Sequence, residues 1–133
     1  MLEAHEGGCH CGRVRFRIQV DFAESVVGEC DCSICTKKGI VHLPIAFERL
    51  EILSGADDLT TYTFNTGTAK HTFCRQCGIH PFYQPRSDPE NYSVNVRCLD
   101  DYDPETMRSQ RLFEGRNWEE AFARRKTEWA AKH

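Results

Sequence analysis

The chain has no long apolar run. No stretch approaches the roughly 18 consecutive apolar residues of a membrane-crossing helix, so a membrane is not an expected partner. It also lacks a surplus of one charge. Against 17 basic residues stand 20 acidic ones, a formal net charge of -3. That balance gives no overall attraction for nucleic acid or an anionic surface. The start, "MLEAHEGGCHC", lacks a basic segment followed by an apolar one. No secretory leader is expected, and a cytoplasmic location follows by default. Internal repeats, low-complexity tracts and linkers are missing too. Residues 1–133 are therefore expected to form one domain with one modest core.

What the chain has in excess is cysteine, with 8 in 133 residues. The spacings are C-x-C in "GGCHCG" (7–12), C-x-C-x-x-C in "CDCSIC" (30–35) and C-x-x-C in "FCRQCG" (73–78), with Cys98 apart. Cysteines two or three positions apart are poorly placed to bridge one another without strain. They are well placed to share one metal ion, and without a secretory leader metal binding is the expected use.

Around these knuckles the pattern is mostly β. "RVRFRIQV" alternates strictly, with Val14, Phe16, Ile18 and Val20 on one side and Arg13, Arg15, Arg17 and Gln19 on the other, as in a half-buried strand. "ESVVGEC", "VHLPIAF", "RLEILSG", "LTTYTFN", "AKHTFC" and "YSVNVRCL" read as further strands or extended segments. "SICTKKG" reads as one helical turn ended by Gly39. "GRNWEEAFARRKTEWAAKH" has the marks of an amphipathic helix. Asn117 and Glu120 form a capping-box pattern, and Trp118, Ala121, Phe122, Arg125 and Trp129 share one face. The expected architecture is a mainly β protein of several small antiparallel sheets with metal knuckles and a C-terminal helix.

The count of thiols suggests how they divide. Cys9, Cys11, Cys74 and Cys77 make a closed four-cysteine site, the ligand set of structural zinc. Cys30, Cys32 and Cys35 then form a three-ligand set, the number typical of catalytic zinc with its fourth position open. Thiolate-rich surroundings favour zinc over magnesium or calcium; iron–sulfur ligation is the other use of such thiols. Spacing alone also allows the C-x-x-C to join two cysteines of the triplet. Cys98 reads as a buried small side chain, with a role as fourth ligand of the triplet as the alternative. His10, His42, His71 and His80 are further potential ligands, more ordinary as surface residues or as supports for the ligands.

Taken in order, "GGCHCGRVRF", "CDCSICTKKG", "TTYTFNTGTAKHTFCRQCG", "FYQPRSDP", "RCLD" and "FEGRNWEEAF" resemble the glutathione-dependent formaldehyde-activating enzyme family. In detail they look closest to its centromere protein V type. The resemblance implies a β-tent-like fold of small sheets around zinc. It implies one structural zinc on Cys9, Cys11, Cys74 and Cys77, and a second on Cys30, Cys32 and Cys35. The implied activity is that of a carbon–sulfur lyase, joining formaldehyde and glutathione as S-hydroxymethylglutathione. An open thiolate-bound zinc suits that chemistry, since it can deprotonate an incoming thiol. Glutathione carries two carboxylates, and Arg86, Lys37 and Lys38 are the candidate cationic anchors. The alternative is a non-catalytic zinc-binding protein-interaction module of the centromere protein V type.

Overall fold

The computed structural model describes the backbone of residues 1–132 and the side chains of residues 1–127. Three small sheets make up the fold. In the first, β1 (Glu3–Gly8) and β2 (Arg15–Val20) pair antiparallel from Glu3↔Val20 to Gly8↔Arg15, and β5 (Leu50–Ser54) lies on the other side of β2. The second has five strands in the order β10-β3-β4-β9-β8. These are β3 (Gly28–Cys30), β4 (His42–Ala46), β8 (Phe82–Tyr83), β9 (Asn91–Asn95) and β10 (Arg111–Phe113). The third is a two-stranded pair, β6 (Leu59–Tyr62) with β7 (His71–Cys74). A short helix, α1 (Ser33–Lys38), follows β3, and α2 (Trp118–Lys132) ends the chain.

The alternation in residues 13–20 holds. Val14, Phe16, Ile18 and Val20 are all buried, because a strand sends every second side chain to one face. They join Leu43, Ile45, Phe82, Val94, Val96 and Leu99 in one core, with Phe16 edge-on to Phe82 at 5.5 Å. On the other face Arg15 forks onto Asp100 and Arg17 reaches Glu6. The core thus draws on two of the three sheets, and the third is tied on through Cys74 at the end of β7.

Three elements differ from the pattern read in the sequence. Residues 24–27 do not extend β3, which begins at Gly28. "YSVNVRCL" is a strand only as far as Asn95. The Asn95 side chain accepts from the Arg97 amide at 3.2 Å and turns Val96–Cys98 into a 3₁₀ turn, so Cys98 is not on a strand. The capping box at Asn117 does not form. A 3₁₀ turn over Gly115–Asn117 runs straight into α2, and the Asn117 amide donates to the Glu114 carbonyl at 3.0 Å. Asn117 is therefore inside a turn instead of at the extended position a cap requires. The helix still packs as its pattern predicts. Ala121 is buried, Trp118 stacks on Phe122 at 4.7 Å, and Trp118 meets Phe113 of β10 edge-on at 6.4 Å. The Trp129 side chain lies outside the described residues.

Candidate metal centres and the cavity beside them

The first cysteine group is built from two tight turns. Cys9 and Cys11 occupy the connection between β1 and β2, where Gly12 takes a left-handed φ of 83°. Cys74 ends β7, and Gly78, at φ 78°, turns the chain back so that its amide donates to the Cys74 carbonyl at 2.7 Å. Glycine adopts that conformation without the penalty a Cβ brings. The four sulfurs of Cys9, Cys11, Cys74 and Cys77 all lie within 4.8 Å of one another. Cys9 and Cys11 Sγ are 3.5 Å apart, and Cys11 and Cys74 Sγ 3.7 Å. A disulfide requires about 2.05 Å. A tetrahedron with metal–sulfur bonds of about 2.3 Å has edges of about 3.8 Å, which is the spacing found.

Backbone amides are aimed at the thiols of this group. The Arg13 amide and guanidinium lower Cys11 to about 6, and the Val14 amide donates to Cys9 Sγ at 3.3 Å. Burial pushes Cys74 up to about 11, partly offset by the amides of Cys77 and Gln76. A buried thiol with amide donors aimed at it is a ligand that becomes a thiolate when a cation arrives.

The second group, Cys30, Cys32 and Cys35, closes where β3 runs into α1, again with its sulfurs within 4.8 Å. Cys32 is the N-cap of α1, its Sγ accepting from the Cys35 amide at 3.4 Å, and Gly39 ends the helix with φ 68°. Without a cation the three thiols cannot share the ionised state. Hydrogen bonds from Cys30 and Cys35 pull Cys32 down to about 2, and Cys30 and Cys32 in turn push Cys35 far up. Three sulfurs in mutual reach, competing for one negative charge, match the donor set of a thiophilic ion such as zinc.

The triplet opens onto a cavity of about 690 Å³. Its walls include Lys37 from α1, His42 from β4, Phe64 from the connection after β6, His71, Tyr83, Arg86, Arg116, Trp118 and Arg125. Tyr83 OH lies 3.8 Å from Cys35 Sγ and 3.4 Å from His42 Nδ1, which also meets Ser93 Oγ at 2.8 Å. Burial raises the Tyr83 phenol well above 10 and lowers His42 to about 4, so both are neutral at pH 7. His42 Nε2 is a buried polar atom with no partner.

The anchors named from the sequence separate here. Lys37 and Arg86 line the cavity. Arg86 is held by two contacts, its guanidinium 3.6 Å above the Trp118 ring and 2.8 Å from Glu119. Lys38 is not among the residues that line the cavity. The single turn of α1 points its ammonium inward, 3.0 Å from His71 Nδ1 and 4.0 Å from the centre of the Tyr83 ring, and burial lowers it to about 8. Cys98 lies apart from both cysteine groups. Its Sγ faces the His80 carbonyl and the Asn95 amide, and burial raises it to about 12. None of the four histidines joins a cysteine group among the described residues.

Sequence reading missed the part played by Gly115. A Cβ built on it would stand 2.6 Å from both Cys30 Sγ and Cys32 Cβ. Asp31 draws this segment onto the triplet, its carboxylate accepting from the Arg116 amide at 3.1 Å and its carbonyl from Arg116 Nε at 3.0 Å. Gly115→Ala is expected to displace the triplet, with the about 1–3 kcal/mol typical of overpacking. Metal analysis checks this: the variant retains the ion of the four-cysteine group and loses at least half of the occupancy at the triplet. Full occupancy at both would show that the loop is free to yield.

Two comparisons with known proteins agree with this arrangement. Residues 4–116 match the family described as glutathione-dependent formaldehyde-activating enzyme, without distinguishing a subtype within it. The crystal structure of a Rhodobacter sphaeroides protein superposes with a TM-score of 0.72 at 39% sequence identity. That match covers 80% of this chain and 98% of the other. With the match spanning most of its length and both cysteine groups assembled, this chain belongs to the glutathione-dependent formaldehyde-activating enzyme family.

Proposed function

We propose that the protein is a zinc-dependent carbon–sulfur lyase that joins glutathione to an aldehyde, with S-hydroxymethylglutathione the product from formaldehyde. The observation that carries the reading is the three-sulfur group at the wall of a cavity lined also by cationic side chains, Lys37 and Arg86 among them. Cys30, Cys32 and Cys35 would hold a zinc ion, which when bound would acidify an incoming thiol.

The chain's own residues then have distinct tasks. Arg86 and Lys37 attract the carboxylates of glutathione, and Arg86, fixed on Trp118, is oriented before the ligand arrives. Gly115 brings bare backbone against the triplet, so nothing but the ligand fills the space beyond it. The Tyr83 hydroxyl, protonated at pH 7, is a donor beside the reacting position, with His42 and Ser93 holding its orientation. In the reaction the glutathione sulfur bonds to the carbonyl carbon, the C=O π bond breaks, and the thiol proton ends on the new hydroxyl oxygen.

The test is exchange spectroscopy with ¹³C-formaldehyde and glutathione, comparing the zinc-loaded protein with the uncatalysed reaction. Acceleration that disappears in the metal-free protein is expected. No acceleration, together with intact binding of two zinc ions, would favour a zinc-bearing interaction module instead. Arg86→Ala is expected to raise the KM for glutathione about tenfold with kcat little changed, the scale of one charge-assisted hydrogen bond of about 1.5 kcal/mol lost equally from ground and transition states. An unchanged KM would remove Arg86 from the site.

A further inference from the structure

The triplet sits on a seam between two unlike walls. Cys30 and Cys32 lie against Gly115, which begins the segment carrying Arg116 and Trp118, and Arg86 is stacked on Trp118. Cys35 faces the other way, toward Tyr83, whose hydroxyl is 3.8 Å from its sulfur. From Tyr83 the rings continue in series. His71 stacks on Tyr83 at 4.9 Å, Phe64 on His71 at 5.5 Å and Tyr62 on Phe64 at 5.7 Å, with interplanar angles of 16°, 24° and 23°. Phe64, His71 and Tyr83 line the cavity. At its outer end Phe64 is 41% exposed and Tyr62 50%. Phe64 thus lines the cavity while keeping part of its ring exposed, apolar surface that a ligand in the cavity can cover.

Formaldehyde uses none of this wall. With the sulfur of glutathione at the triplet and its carboxylates toward Arg86 and Lys37, the carbon joined to sulfur points its two substituents toward the remaining side, that of Cys35 and Tyr83. Formaldehyde brings only hydrogens there. We infer that the ring series from Tyr83 to Phe64 is a subsite for an aromatic substituent on the carbonyl partner, so that the aldehydes this site takes include those bearing an aryl group. The inference rests on the glutathione–aldehyde reading above. The preference for an aromatic over an aliphatic group follows from geometry. Rings whose faces are taken up by stacking on one another have chiefly their edges left to offer a ligand. Ring edges are electropositive and favour the electron-rich face of another ring. The chemistry is unchanged by the substituent: the C–S bond forms, the C=O π bond breaks, and the thiol proton moves to oxygen, with no oxidant or reductant required.

Thioethers of glutathione are stable stand-ins for the adduct and separate the two ideas. Calorimetric titration of the zinc-loaded protein with S-methylglutathione and S-benzylglutathione is expected to show the benzyl compound binding about tenfold more tightly. In Phe64→Ala the benzyl affinity is expected to fall about tenfold more than the methyl affinity. Equal affinities in the wild-type protein overturn the aromatic subsite and leave the glutathione reading standing. A benzyl preference that survives Phe64→Ala unchanged overturns the assignment to this wall. Binding of neither thioether, nor of glutathione itself, overturns both.

Discussion

Cys74→Ser is expected to leave the chain without a cooperative fold at room temperature. Cys74 is fully buried at the end of β7, opposite Leu59, and its sulfur lies 3.7 Å from that of Cys11 in the turn between β1 and β2. The four-cysteine group therefore fastens two segments more than sixty residues apart in sequence, and through Cys74 it ties the β6–β7 pair to the core. Ligation and folding are the same event in such a group, because the unfolded chain holds no preformed site. In small zinc domains the linked free energy is about 10 kcal/mol or more. The whole stability of a domain this size is about 5–15 kcal/mol, so losing one ligand is comparable to losing the fold. Thermal unfolding with metal analysis checks this: the variant should show no unfolding transition and no zinc at this group. A variant with the parent's melting temperature would remove the structural role. Cys98→Ala provides the contrast, since Cys98 belongs to neither group, and is expected to lower stability by only about 1 kcal/mol.

Cys32→Ser is expected to have the opposite profile, with the fold kept and the activity lost. Serine is a good N-cap, so α1 retains the hydrogen bond that Cys32 Sγ now accepts from the Cys35 amide. The triplet, reduced to two sulfurs, no longer offers three thiolates, and its ion should leave. One zinc per chain should remain, the melting temperature should stay within a few degrees of the parent, and aldehyde–glutathione exchange should drop to the uncatalysed rate. Two zinc ions per chain with undiminished exchange would show that Cys32 is not a ligand. Loss of the fold along with the ion would make the triplet a structural site and remove the distinction between the two groups.

Parts of this arrangement were legible because local chemistry determines them. The strict alternation from Arg13 to Val20 allows only one face to be buried, and the structure buries it. Gly39 stands where the helical turn after the triplet must end, and it does so with a positive φ of 68°. The helical face of Trp118, Ala121 and Phe122 follows from a spacing that no strand presents. Other parts were hidden. β1 is polar and mostly exposed, β8 is two residues long, and β10 pairs parallel with β3 from more than eighty residues away. Such strands exist because a partner's backbone is available, and they need no pattern of their own. The capping box at Asn117 is the reverse case, a local signal overruled when Asp31 holds Arg116 and winds Gly115–Asn117 into a turn.

The sequence by itself determined which thiols are close neighbours, the runs 9–11, 30–35 and 74–77, since short spacings bring such thiols to a common point; the structure decided that the first run joins the third. The tertiary structure decided what surrounds them. Lys37 and Lys38 are adjacent and chemically alike, yet one lines the cavity and the other lies under the His71 and Tyr83 rings. Arg86, Gly115 and Phe64 line the cavity from three separate stretches of chain. Each run of neighbouring ligands is written within a few residues, because a metal ion is small. A substrate's surroundings are assembled across the whole chain, because a cavity large enough to hold glutathione must be walled by elements that meet only when the core forms.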